Sequence, residues 1–313
     1  MSTKKKIAFL FPGQGSQAVG MGKVWAEAFT AARHAFEEAD DALGFHLTRL
    51  CWQGPEEDLQ LTENTQPAIL ACSIALHRVV AEAGLAPAAV AGHSLGEYSA
   101  LVAAGALEFP AALSLVRSRG RFMQEAVPVG AGAMAALMGL EAEVVRELVA
   151  AASTGEEACA VANYNSPLQT VISGHAAAVE RAVALAAARG VKKAKLLPVS
   201  APFHSPLMRP ARERLAPLLA DAAFRDPAAP VVTNVDAAPA RTGEAARDAL
   251  VRQVDGPVRW TESIQWMAGE GVEAFVEVGP GNVLTGLGRR IEKDARWLAL
   301  PRPEALDKLL AEI

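Results

Sequence analysis

The chain has little cysteine, few aromatic residues and no excess of either charge. Its three cysteines, Cys51, Cys72 and Cys159, form no C-x-x-C pair and sit in apolar stretches. That excludes a disulfide framework and points to reduced, buried thiols in a cytoplasmic protein. Lys and Arg number 30 against 35 Asp and Glu, a formal charge of -5, so the basic surplus expected of a nucleic-acid-binding protein is missing. Membrane-spanning runs are missing too: the uncharged stretch "AVPVGAGAMAALMGL" (126 to 140) is too short and too rich in glycine to cross a bilayer. At the start, three lysines precede an apolar run as in a signal peptide, but Pro12-Gly13 ends that run, which reads instead as a first strand. What remains is an ordinary globular composition, 51% hydrophobic in 313 residues, enough for one large domain or two.

Short apolar runs alternate with longer helical ones. "IAFLF" (7 to 11) is followed by helical patterns over 22–43 and 66–84, then by the strand-like "AAVAG" (88 to 92). "VEAFVEVG" (272 to 279) and a helical 282–293 resume the same rhythm near the end, so the spacing predicts an α/β core. Between them the order is strand 133–140, helix 141–153, strand 159–165, strand 169–174, helix 176–190 and strand 194–200. This is the β-α-β-β-α-β order of a ferredoxin-like unit. Residues 129–198 are therefore expected as an insertion between two pieces of one core domain, 1–128 and 199–313, with a cleft where they meet.

Within "VAGHSLGEYSA", Gly92-His93-Ser94-Leu95-Gly96 fits the G-x-S-x-G turn that presents a nucleophilic serine between a strand and a helix. Ser94 would lie near a helix N-terminus, with the Leu95 N–H as a first oxyanion donor. The competing reading is a chance match in which Ser94 only caps the helix. A serine nucleophile needs a base. His93 would point off the turn, and His34, His46, His77 and His175 fall in helical or turn segments, as surface or packing residues. His204, in "PVSAPFHSPLM", sits on a proline-flanked loop at the expected domain junction, where a base is better placed; otherwise it only satisfies backbone groups of that loop. No acid stands out as a third member among Asp221, Asp226, Asp236 and Asp255. A backbone carbonyl can orient a histidine equally well.

The segment "FPAALSLVRSRGRFMQEAV" reads as a helix beginning at Phe-Pro. Ser114, Arg117, Ser118, Arg121 and Glu125 share its polar face, yet Arg119 falls on the apolar face with Leu115, Val116, Phe122 and Met123. An inward guanidinium is costly without a partner. That partner is either an acid of the protein itself or the carboxylate of a ligand, which the planar fork holds bidentately. At the front, "FLFPGQGSQAVGMG" satisfies the loosest dinucleotide pattern through Gly13, Gly15 and Ala18, but no strand ending in an acid follows at the required distance. The same loop could place the Gln14 N–H beside Ser94.

Taken in order, "FPGQGSQ", "GHSLGEYSAL", "RGRFMQEAVP", "ANYNSP", "FHSPLM" and "EVGPGNVLTGL" resemble the malonyl-CoA:acyl carrier protein transacylase family over nearly the whole chain. The resemblance implies an α/β-hydrolase-like parallel-sheet core with an inserted ferredoxin-like subdomain. It implies that Ser94 is the acylated nucleophile and His204 the base, that Gln14 and Leu95 form the oxyanion hole, and that Arg119 holds the malonyl carboxylate. The carbonyl orienting His204 would be that of Gln253. Asn163 and Phe203 would be substrate or CoA contacts, Phe203 in the pattern of malonyl-selective relatives. Malonyl-CoA and acyl carrier protein are the implied partners; no metal or redox cofactor, nucleic acid or membrane is implied, and a free-standing cytoplasmic monomer is expected. Carrier proteins are acidic, which makes Arg189, Lys192, Lys193 and Lys195 candidate docking residues; the alternative is a solvated basic turn. A serine thioesterase or hydrolase, and a trans-acting polyketide acyltransferase of the same fold, are the competing functions.

Overall fold

The computed structural model describes residues 5–199 and 201–313. Lys4 of the leading lysines and Ser200, the last residue of the strand expected over 194–200, lie outside the described residues. Among the described residues ten strands are formed: β1 (Ile7–Phe11), β2 (Ala89–Gly92), β3 (Gly132–Met138), β4 (Cys159–Ser166), β5 (Gln169–His175), β6 (Lys193–Leu196), β7 (Val231–Val232), β8 (Pro239–Ala240), β9 (Ala274–Glu277) and β10 (Arg296–Ala299). The α/β class is as the alternating pattern predicts.

The larger sheet has the order β10-β9-β1-β2-β7-β8, parallel throughout except for β8. Every residue of β1, β2 and β9 is buried, as strands covered on both faces require. Phe9, Phe11, Val90 and Val276 pack on one side, with the helix Thr62–Glu82. Ala8, Leu10, Ala91 and Phe275 pack on the other, against Trp260, Met267 and Leu284. The smaller sheet is antiparallel, ordered β4-β5-β3-β6, with the helices Ala142–Ala152 and Ala176–Ala188 between its strands in the ferredoxin-like sequence. Backbone bonds tie β4 to the segment at Val258, which packs in the core of the larger sheet: Val258 N–H donates to Ala162 O at 2.8 Å, and Tyr164 N–H to Val258 O at 2.9 Å.

Three expected elements differ in extent. The helix read over 22–43 is two, Lys23–Ala28 and Thr30–Leu43, because Phe29 is extended (φ -129°, ψ 128°) and lays its ring on Trp25 at 5.6 Å. The helix read from 66 begins at Thr62 and accommodates Pro67 within it. The strand expected to reach 200 stops at Leu196, just before Pro198, which has no N–H to give a ladder.

Candidate active site

Ser94 sits where β2 turns into the helix Gly96–Ala103, with a left-handed φ of 52°. The turn is tight enough that a Cβ on Gly92 would collide with the Gly96 backbone, and one on Gly96 with the Phe11 carbonyl. The loop after β1 presses on the same turn, since a Cβ on Gly13 would strike the His93 carbonyl oxygen. Asn234 fastens the arrangement: its Oδ1 accepts from the Ser94 N–H at 2.7 Å, and its Nδ2 donates to Gly92 O at 2.7 Å.

His204, also left-handed (φ 56°), places Nε2 2.7 Å from Ser94 Oγ. Its Nδ1 faces two acceptors, Gln253 O at 3.0 Å and Gly256 O at 3.1 Å. Two carbonyls there require the proton on Nδ1, which leaves the Nε2 lone pair to accept from the serine hydroxyl. Burial and, next, the Arg119 charge pull the His204 pKa down to about 3, so the imidazole is neutral at ordinary pH. Three of the four acids considered from sequence are occupied elsewhere, Asp255 with Arg212, Asp236 with Arg252 and Asp226 with the Gly243 N–H, and Asp221 is exposed.

Arg119 projects inward from the helix Phe109–Glu125 and is 1% exposed. Its Nη1 donates to Gln66 Oε1 at 2.8 Å, and its Nη2 to Gln253 Oε1 at 2.9 Å and Ser94 Oγ at 3.0 Å. Among the described residues no carboxylate forms an ion pair with it, so the internal-acid alternative is not realised. The charge is held by neutral groups, and burial pulls its pKa down.

These groups open onto a cavity of about 560 Å³ at the carboxyl ends of β1 and β2, the usual ligand crevice of an open α/β sheet. Gln14 and Leu95 border it, and neither backbone N–H has a backbone acceptor among the described residues. Phe203 and Met123 form apolar wall, while Met134 and Asn163 of the smaller sheet, with Leu197 just past β6, cover it.

Over residues 8–298 the sequence matches the acyl transferase domain family. It is 51% identical over 302 residues to the malonyl CoA-acyl carrier protein transacylase of Escherichia coli (strain K12), covering 96% of this chain and 97% of that one. The chain belongs to the malonyl-CoA:acyl carrier protein transacylase family. The transacylase structure from Coxiella burnetii superposes with a TM-score of 0.96 at 43% identity, covering 98% of this chain and 97% of that chain. A malonyl-transacylase solved in complex with a type II PKS acyl-carrier protein gives 0.96 at 46% identity, covering 98% of this chain and 100% of its own.

In this transacylase-family chain every site residue read from sequence borders the cavity except Gln253, which acts from behind His204 and Arg119. His93 directs its Nε2 away from the serine, to Asn165 Oδ1 at 2.8 Å, as expected, although the residue itself lines the cavity. His77 is a packing residue, set edge-on to Phe9 and Phe11 with its pKa lowered to about 4 by burial, while His34 and His46 are exposed. Four participants escaped the sequence reading: Gln66, Glu97, Asn234 and the Gly256 carbonyl. Glu97 carried a visible signal, as the one charged residue of an apolar helix; Gln66, which continues the polar run "TENT", Asn234 and Gly256 had none.

Cys51, Cys72 and Cys159 are free and buried. Arg189, Lys192, Lys193 and Lys195 are exposed, with Arg189 3.6 Å from Glu147. Among the described residues no group of three or more His, Cys, Asp or Glu could hold a metal ion, and no helix is long and apolar enough to cross a membrane.

Proposed function

We propose that the protein moves the malonyl group from malonyl-CoA to the phosphopantetheine thiol of acyl carrier protein through an ester on Ser94. The observation that carries this reading is the buried, acid-free Arg119 donating to the oxygen of the serine itself. A fixed cation 3.0 Å from the reacting oxygen suits an acyl group whose far end is a carboxylate. Family membership and the transacylases it resembles support the same substrate pair.

The Ser94 hydroxyl gives its proton to His204 Nε2 as Oγ attacks the thioester carbon. The oxyanion takes the N–H groups of Gln14 and Leu95, and the Gln253 and Gly256 carbonyls hold Nδ1–H of the transient imidazolium. As the C–S bond breaks, Nε2 returns the proton to the CoA sulfur. The carrier thiol then gives its proton to Nε2, its sulfur attacks the malonyl ester, and Ser94 Oγ leaves with that proton. Because the Arg119 charge is one cause of the low His204 pKa, a carboxylate laid on Arg119 raises the basicity of His204 when the right substrate is present. The scheme uses no metal or redox cofactor. We take residues 129–198 as the inserted subdomain, Asn163 and Phe203 as substrate contacts, the basic stripe of Arg189, Lys192, Lys193 and Lys195 as the carrier-docking surface, and the enzyme as a cytoplasmic monomer.

Intact-mass measurement after mixing with malonyl-CoA tests the reading. The wild type should gain one malonyl group, lose it to added carrier protein, and Ser94→Ala should gain none. Discharge to water faster than to the carrier thiol would make the protein a thioesterase instead.

A further inference from the structure

Glu97 is fully buried in the helix that follows Ser94, and the reaction scheme gives it no part. Among the described residues it forms no ion pair. Its Oε2 accepts from the Asn234 N–H at 2.9 Å and from Gln253 Nε2 at 2.8 Å. Gln253 Nε2 also donates to Ser94 O at 3.0 Å, while Oε1 of the same amide accepts from Arg119 Nη2 at 2.9 Å. One amide thus separates a buried carboxylate from a buried guanidinium.

The two ends of a side-chain amide have nearly the same shape but opposite hydrogen-bonding character. Oε2 of Glu97, already accepting from the Asn234 N–H, faces Gln253 as an acceptor, so it draws the Nε2 end of Gln253 toward itself and leaves the Oε1 end toward Arg119. A turned amide would set its NH₂ against the guanidinium, donor against donor, in a dry site where an unmade bond is costly. We propose that Glu97 is a positioning residue which, through Gln253, holds Arg119 beside Ser94 and so sets the preference for carboxylated acyl groups. This rests on the reading of Arg119 as the partner of the malonyl carboxylate.

A second path from Glu97 runs through Asn234 to the serine turn. The two paths have different signatures: a disturbed turn slows every acyl group alike, whereas a disturbed Arg119 slows only the carboxylated one. The experiment compares Ser94 loading from malonyl-CoA and from acetyl-CoA. Glu97→Met keeps the bulk but removes the oxygen that accepts from Gln253 Nε2, and the malonyl-to-acetyl ratio of kcat/KM should fall about tenfold or more, as for a lost bond to a charged group. Gln253→Ala, which keeps the backbone carbonyl behind His204, should lower the ratio similarly, and the double variant should fall no further than either single. An equal loss for both acyl groups, an unchanged ratio, or additive losses in the double variant would each overturn the proposal. Should Glu97→Met not fold, Gln253→Ala decides, and an unchanged ratio there overturns it as well. A wild type that takes up no malonyl group overturns the function itself, and the positioning role with it.

Discussion

The two sheets build the cavity in different ways. The parallel sheet is covered on both faces, so its open positions are strand ends, and it contributes turns: Ser94 after β2 and Gln14 after β1. The antiparallel sheet buries Ala135, Leu137 and Ile172 against its own helices and turns Met134, Ala136, Ala162 and Val171 toward the larger core. Its contribution to the cavity is Met134 and Asn163, joined by Leu197 just past β6, and none of these titrates. Chemistry therefore resides in one region and enclosure in the other.

Substitutions can break or sharpen that division. The largest effect is expected in the chemical region: Arg119→Ala should lower kcat/KM for malonyl-CoA about 100-fold, in keeping with a buried charge-assisted pair, while acetyl-CoA loading holds or rises. Parallel losses on both thioesters would show that Arg119 serves the serine rather than the acyl carboxylate. In the enclosing region, Asn163→Ala keeps the backbone bonds around Val258 and removes at most one neutral contact. Steady-state kinetics should show a loss of about tenfold or less on either thioester. A loss matching that of Arg119→Ala would erase the division.

The smallest effect concerns pH and belongs to the larger region. Burial lowers His77 to about 4 and His204 to about 3, below the unfolded value of 6.5, so the unfolded chain binds more protons between those limits. Their contribution to stability is full above pH 6.5 and is lost as the pH falls toward 4 and then 3. Glu97, raised from 4.5 to about 7, works oppositely, its contribution being lost as the pH rises from 4.5 to 7. Two histidines against one carboxyl leave a net fall in urea midpoint from pH 7 to pH 5, and His77→Phe should flatten it.

Strong local patterns made much of this legible from sequence. G-x-S-x-G names its own turn, and one arginine on the apolar stripe of an amphipathic helix announces an inward charge. His204 was found by its loop and proline flanks. Asn234 and Gly256 were not, because "TNV" and "DGP" follow no periodicity; their roles arise only when the loop after β7 and the segment after Gln253 meet β2 in space. Helix ends missed for a similar reason. The break at Phe29, which is extended where its ring stacks on Trp25, is one that a helical pattern of apolar residues does not reveal.

Ser94 and His204 stand at opposite ends of one 2.7 Å hydrogen bond, and both have left-handed backbones. Each such conformation costs on the order of 1–3 kcal/mol, a visible share of the roughly 5–15 kcal/mol by which a folded domain exceeds its unfolded state. The remainder of the molecule thus holds this pair under tension. Selection for thermal tolerance alone would relax these two positions early, and reactivity would disappear while the fold improved.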